Sequence, residues 1–281
     1  MALIQISSTD NVEENFKQIY KLISEIPQNV DWVVLPENAL YMRIDNDAPQ
    51  VTFDLSEKYF HQLQELCKEK QFPVLLGSVP VRKANKVYNS TVVVNAVNSA
   101  AIYDKIHLFD VDVKGEKSLR ESELYSAGSE TIVLSREGWR FGLSICYDLR
   151  FAELYTQYLK DHVDVLLVPS AFLKTTGAAH WHVLLRARAI ENQCYVVLAG
   201  NVGNLPQVKN MDIQYAQSAI LTPCDFVFSR DGIAADSTPN TEMLILADLN
   251  LDALYESRVS GSVLNLNDRR HELFSVIWHQ T

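Results

Sequence analysis

The sequence predicts an α/β protein, on three observations. Apolar runs of strand length alternate with amphipathic segments of helical period, and 47% of the 281 residues are hydrophobic, enough for a large buried core. No Pro/Gly/Ser linker, composition break or internal period divides the chain, so one domain over residues 1–281 is expected. The opening LIQIS reads as a strand and VEENFKQIYKLISEI as a helix. DWVVLPE is a buried strand ended by its proline, the segment from Leu55 to Lys70 a second helix, and FPVLLGSVP a third strand. VYNSTVVVNA and AIYDKIHLF follow as strands joined by the polar turn Val97-Asn98-Ser99. A charged, irregular stretch then runs from Asp110 to Gly128.

The second half repeats the alternation: WRFGLSIC strand, RFAELYTQYL helix, VDVLLVPS strand, HWHVLLRARAIEN helix and CYVVLAG strand. After these come QYAQSAIL, a hairpin-like region around DFVFSRDG, the strand EMLILADL and a short helix from Leu251 to Arg258. Helices alternating with strands cover either both faces of one sheet or the outer faces of two packed sheets. The pattern leaves both arrangements open.

Charge and cysteine content narrow the setting. Lys plus Arg number 25 against 35 Asp plus Glu, a formal net charge of -10 with no basic block, which argues against nucleic-acid partners. No apolar run approaches the roughly 20 residues that cross a bilayer, and the N-terminus turns acidic before a signal-peptide core develops. A soluble cytoplasmic protein is the expectation. Cys67, Cys146, Cys194 and Cys224 are widely spaced, form no CxxC pair and fit reduced thiols rather than a disulfide framework or zinc site.

Candidate chemistry centres on Cys146, in WRFGLSICYDLRFAEL. It falls where an apolar strand gives way to a polar helix start, a junction that exposes a nucleophile near backbone amides. The competing reading is a small buried filler. Glu37 leaves the run DWVVLP and Lys105 closes AIYDKI, so two ionisable groups end apolar strands near the same presumptive sheet edge. A carboxylate beside the thiol can take its proton and return it to a leaving amine, while a lysine can stabilise a tetrahedral oxyanion. A structural Glu–Lys ion pair is the alternative that spacing alone favours slightly.

Together LPE at Glu37, YDKIHLFDVDV at Lys105 and GLSICYDLRF at Cys146 resemble the three signature segments of the nitrilase superfamily of carbon–nitrogen hydrolases. The resemblance spans nearly the whole chain. It implies the four-layer α-β-β-α sandwich, with Glu37 as general base, Lys105 as oxyanion support and Cys146 as covalent nucleophile. A second glutamate beyond the lysine corresponds to Glu121 in SLRESE, for orientation or proton handling. The stretch PSAFLKTTGAAHWHVLLRARAIENQCYVV resembles the amidase branch that holds deaminated glutathione amidase and omega-amidase. That branch implies hydrolysis of a terminal carboxamide on a small carboxylate-bearing 2-oxo compound, no metal or organic cofactor, and a homodimer. N-carbamoyl amide hydrolysis, nitrile hydrolysis and an inactive interaction subunit are the weighed alternatives.

Around this set, Arg150 is a possible substrate-carboxylate contact, with an ion pair to Asp148 or Glu153 as the preferred structural role. Tyr147, Phe172 and His180 are expected to line the pocket, His180 near a helix entrance. His180 and His182, two positions apart on a helix, point in different directions and make no metal pair. Arg186 and Arg188 beside Glu191 read as structural ion pairing. The passage after CYVVLAG, about residues 201–214, departs from the branch pattern before SAILTPCD, where Cys224 and a displaced Asp225 stand. YMRIDNDAPQ is a candidate pocket rim.

Overall fold

The computed structural model describes residues 1–43, 50–112, 119–203 and 216–273. Its strands in chain order are β1 Ala2–Gln5, β2 Val33–Val34, β3 Val74–Lys83, β4 Lys86–Val94, β5 Ser99–Asp104, β6 Asp110–Val111 and β7 Leu119–Arg120. They continue with β8 Val133–Arg136, β9 Trp139–Leu143, β10 Val165–Leu167, β11 Tyr195–Leu198, β12 Ala219–Leu221, β13 Ile233–Asp236 and β14 Met243–Leu246. The longer helices are α1 Val12–Glu25, α2 Lys58–Lys70, α3 Ala152–Lys160, α4 Lys174–Asn192 and α5 Leu251–Ser260.

The strands form two six-stranded sheets, β14-β1-β2-β3-β4-β5 and β13-β12-β11-β10-β9-β8. Each has parallel pairs at its centre, β1-β2-β3 in one and β9-β10-β11 in the other, with antiparallel strands outside them. Side-chain alternation explains the layers. In the first sheet Leu3, Val34, Leu75 and Val93 join the core shared with the second sheet. Their neighbours Ala2, Ile4, Val33, Leu35, Val74 and Leu76 pack with Phe16, Ile19 and Ile23 of α1 and Phe60, Leu63 and Leu66 of α2. On the other side, Leu154, Tyr155 and Tyr158 of α3 and Trp181, Leu185 and Ala189 of α4 cover the second sheet. The Trp32 and Phe141 rings, 5.5 Å apart, join the two sheets directly. The result is the α-β-β-α sandwich, and the single-sheet alternative falls away.

Capping follows the sequence where its signal is strong. Asn11 accepts from the Glu14 N–H at the start of α1, and Asn250 does the same for Ala253 at the start of α5. Two expectations need correction. The α4 helix begins at Lys174, six residues before HWHVLLRARAIEN; Thr175, Thr176 and Gly177 in its first turn are poor helix formers, so local propensity hides this start. His180 therefore lies well inside the helix rather than at its entrance. Strand β8 is the second departure from the sequence pattern. It pairs with β9 through a two-residue turn in which Glu137 and Gly138 both take positive φ, 51° and 85°.

The charged stretch from Asp110 holds the β6-β7 ribbon and a 3-10 turn over Glu121–Glu123. DFVFSRDG lies in the connection between the antiparallel strands β12 and β13, in keeping with the hairpin expected there. Among the described residues no helix is long and apolar enough to cross a membrane.

Candidate active site

The site gathers where strands of both sheets end. Glu37 follows β2 through Leu35 and Pro36, and the Leu35 N–H still pairs with the Leu75 carbonyl at 2.9 Å. Lys105 follows β5, its N–H donating to the Asn89 carbonyl at 2.9 Å. Cys146 follows β9, with its own N–H bonded to the Pro169 carbonyl, 2.9 Å away, beyond β10. Gly77 permits this meeting of the sheets: a Cβ there would stand 2.3 Å from both the Leu35 carbonyl oxygen and the Pro169 side chain. Ion-pair chemistry is thus supplied by residues just past the apolar runs, while the runs fix their spacing.

Cys146 opens a 3-10 turn over Cys146–Arg150 with φ 49°, a left-handed conformation that costs a non-glycine residue about 1–3 kcal/mol. Such a sharp turn lifts the sulfur out of the strand plane. Its thiol lies beside the Glu37 carboxylate and the Ala171 N–H, close enough for both to act on its ionisation. The Ala171 N–H also donates to Glu37 Oε2 at 2.9 Å. Lys105 Nζ donates to Glu37 Oε1 at 2.8 Å and to Glu121 Oε2 and Oε1 at 2.9 and 3.1 Å. The Phe109 N–H donates to Glu121 Oε2 at 2.7 Å, and the Asn89 side-chain amide reaches both glutamates. The structure thus brings Glu37, Lys105, Glu121 and Cys146 into one contiguous cluster.

Burial sets the electrostatics. The Lys105 side chain is 2% exposed and that of Glu37 4%. Burial raises the Glu37 pKa, with the Glu121 charge adding to the rise and the Lys105 ammonium opposing it. Burial alone would pull Lys105 down, but the Glu121 and Glu37 carboxylates hold it well above its ordinary value, so it stays an ammonium. Burial and the Glu37 charge push the Cys146 thiol well above its ordinary value, against the pull of Lys105. The resting sulfur is therefore a thiol beside a carboxylate that can accept its proton. A carboxylate with a raised pKa is suited to hold that proton and give it back.

Comparison with known proteins places this architecture. A model of the carbon-nitrogen hydrolase family matches residues 1–259. The chain belongs to the carbon-nitrogen hydrolase family. The hydrolase is 33% identical over 280 residues to omega-amidase NIT2 of Xenopus tropicalis, covering 98% of this chain and 96% of that protein. It is 32% identical over 279 residues to deaminated glutathione amidase of Dictyostelium discoideum, 94% of this chain and 92% of that one. The match to the Bacillus subtilis "Probable hydrolase YhcX", 32% identical over 88% of this chain, spans only 48% of that longer protein. The solved structure of the C. elegans NitFhit protein superposes with a TM-score of 0.80 at 29% identity, over 98% of this chain and 65% of that one.

Around the hydrolase cluster, the expected pocket residues separate. Tyr147 is half-buried, its ring edge-on to Phe109 and Phe151 with centroids 5.0 and 5.2 Å away, and the Arg150 guanidinium lies 5.6 Å from its centroid. Arg150 Nη2 sits 3.1 Å from His180 Nδ1, so these two belong together at the surface. The expected ion pair with Asp148 does not form, because Asp148 points inward. Phe172 is buried edge-on against Trp181, 4.7 Å between centroids, and packs in the core. His182 Nε2 lies 3.0 Å from Gln217 Oε1, and Arg188 pairs with Glu191 at 2.7 Å. Residues 44–49 of YMRIDNDAPQ and residues 204–214 of the departing passage lie outside the described residues.

Asp148, which the sequence offers only as an ion-pair partner of Arg150, has a different role in the structure. Its carboxylate is fully buried and accepts from the Tyr103 hydroxyl at 2.7 Å, and from the Ile145 and His107 N–H groups at 2.9 Å each. His107 Nδ1 stands 2.7 Å away, its ring stacked on Phe151 at 3.7 Å. Asp148 thus ties the turn that carries Cys146 to the strand and loop that flank Lys105. Asp148→Ala would strand several buried donors and is expected to destabilise the fold by about 3 kcal/mol or more in urea unfolding. A loss below about 1 kcal/mol would show that water replaces these bonds.

Proposed function

We propose that the hydrolase cleaves the terminal carboxamide of a small carboxylate-bearing 2-oxo amide, releasing ammonia through a thioester on Cys146. The observation that carries this reading is the buried Glu37–Lys105–Glu121 cluster set directly on the Cys146 thiol. In the proposed cycle Glu37 takes the thiol proton as sulfur attacks the amide carbon. Lys105 and the backbone N–H of Tyr147 stabilise the oxyanion. Glu37 returns its proton to the nitrogen, the C–N bond breaks and ammonia leaves. Water, deprotonated by Glu37, then attacks the thioester, and the carboxylic acid and free thiol are released. Glu121 holds the other side of Lys105 throughout. No step of this cycle calls for a metal or organic cofactor.

The substrate class is supported by the full-length similarity to an omega-amidase and a deaminated glutathione amidase. Arg150, next to Tyr147 on the nucleophile turn, supplies a cation for an anionic substrate that the net charge of -10 would otherwise repel. Its Nε is buried without a hydrogen-bond partner among the described residues. This reading also includes a homodimer in the cytoplasm. It draws support from the four free cysteines and from Val183 and Ile190, exposed apolar residues on α4.

The test is ammonia release from deaminated glutathione, 2-oxoglutaramate and an N-carbamoyl amine. Turnover of one or both 2-oxo amides at least tenfold faster than the carbamoyl compound is expected. Preference for the carbamoyl compound, with carbon dioxide released, would overturn the substrate assignment.

A further inference from the structure

Strand β4 reads KVYNSTVVV, and Asn89-Ser90-Thr91 is the polar stretch at its buried centre. Asn89 is fully buried. Its side-chain Nδ2 donates to Glu37 Oε1 and to Glu121 Oε1, at 3.1 Å each. These are the same two oxygens that Lys105 Nζ reaches at 2.8 and 3.1 Å. Nδ2, Glu37 Oε1, Nζ and Glu121 Oε1 therefore close a ring of alternating donors and acceptors. The main chain of Asn89 completes the hold, since its carbonyl accepts the Lys105 N–H.

The other end of the amide shows what this arrangement costs. Asn89 Oδ1 is buried with no hydrogen-bond partner among the described residues. A polar side chain in an apolar strand, with its acceptor unsatisfied, is a stability penalty that an aliphatic residue would remove. The donors alone account for the orientation of the amide. An ammonium on a flexible four-carbon stem attracts carboxylates without fixing their planes, whereas a planar amide with two N–H groups fixes both at once.

We propose that Asn89 is a positioning residue, which locks Glu37 and Glu121 on either side of Lys105 and thereby holds the Glu37 carboxylate in register with the Cys146 thiol and the Ala171 N–H. Asn89 acts on the reaction only through Glu37 and Lys105. The charged and titratable groups facing Glu37 are Lys105 beyond β5, Glu121 beyond β7, Tyr125 in the loop after Glu121 and Cys146 beyond β9. With one N–H removed, the ionised form of Glu37 loses a donor while keeping the repulsion of Glu121, so Glu37 must hold its proton to higher pH.

The inference rests on Glu37 serving as the base for Cys146, so the experiment includes a readout that needs no substrate. Asn89→Leu keeps the volume and removes all polarity, and Asn89→Thr removes the planar amide that reaches both carboxylates without adding a charge. For each variant kcat, KM and the acid limb of the rate profile are measured on the amide the parent turns over. In parallel, alkylation of Cys146 by iodoacetamide is followed against pH by peptide mass. The expected result is a kcat about 30- to 100-fold lower with KM changed less than about threefold. Both acid limbs should move up by about one pH unit.

If Asn89 only fills space, Asn89→Leu will match the parent in kcat and in both limbs, and the proposal is overturned. Should the leucine variant fail to fold, the threonine variant alone decides. A parent that turns over none of the amides but is alkylated at Cys146 with an acid limb would count against the substrate reading. The alkylation shift would still decide the role of Asn89.

Discussion

Replacing Cys146 with alanine is expected to lower amide turnover by about ten-thousandfold or more, because no other group in the cluster can form the covalent intermediate. Glu37 is the nearest alternative nucleophile, but Lys105, Asn89 and the Ala171 N–H all occupy its oxygens. The remaining cysteines offer no substitute: Cys67 and Cys194 are buried elsewhere with thiols pushed up to about 12 by burial, and Cys224 lies in the β12–β13 connection with its thiol on the Thr222 carbonyl. Removing a single sulfur from a nearly buried position should cost about 1 kcal/mol of stability at most. Ammonia release from the best substrate of the parent, with a urea melt on the same preparation, checks both halves. An alanine variant within tenfold of the parent would remove Cys146 from the chemistry.

Lys105→Met should show the next largest effect, on catalysis and on folding together. Loss of the ammonium removes the main stabiliser of the oxyanion, a term worth about a hundred- to a thousandfold in rate when a single donor is deleted. It also leaves two carboxylates facing each other in a dry site, where breaking a buried pair costs about 3–5 kcal/mol. The pH dependence has a definite sign. Burial and the Glu121 charge already raise Glu37, and without Lys105 nothing opposes that rise except hydrogen bonds. A carboxyl whose folded pKa lies above its unfolded one destabilises the fold when ionised and not when protonated. The stability deficit of Lys105→Met should therefore be greatest above the raised Glu37 pKa and shrink as pH falls through it. A deficit independent of pH would mean that the methionine disturbs packing rather than charge.

The parts of the site legible in the sequence are those where an apolar run breaks on a charge. Glu37, Lys105 and Cys146 each stand just past such a run, and the structure brings those ends together. Glu121 was visible only through family resemblance, because its loop has no periodicity. Asn89 and Asp148 were not legible. Their roles depend on register and tertiary approach: Ser90 pairs with Asp104, which sets Asn89 beside Lys105, and Asp148 meets Tyr103 from the other sheet. Nor does period distinguish one sheet from two, since Leu3 and Ile4, or Val34 and Leu35, are equally apolar while facing different layers. The start of α4 was obscured by local propensity, and β8 by its brevity.

The central claim is that Cys146 carries the acyl group of the substrate as a thioester while Glu37 moves the protons. Its most direct test is to mix the protein with excess amide, quench in acid within the first turnovers, and weigh the Cys146 peptide. The account predicts a peptide heavier by the mass of the amide less ammonia, absent in Cys146→Ala and not formed within the same time in Glu37→Gln, which lacks the base for sulfur attack. Acid and ammonia formed at the full rate with the Cys146 peptide unmodified at every time point would contradict it.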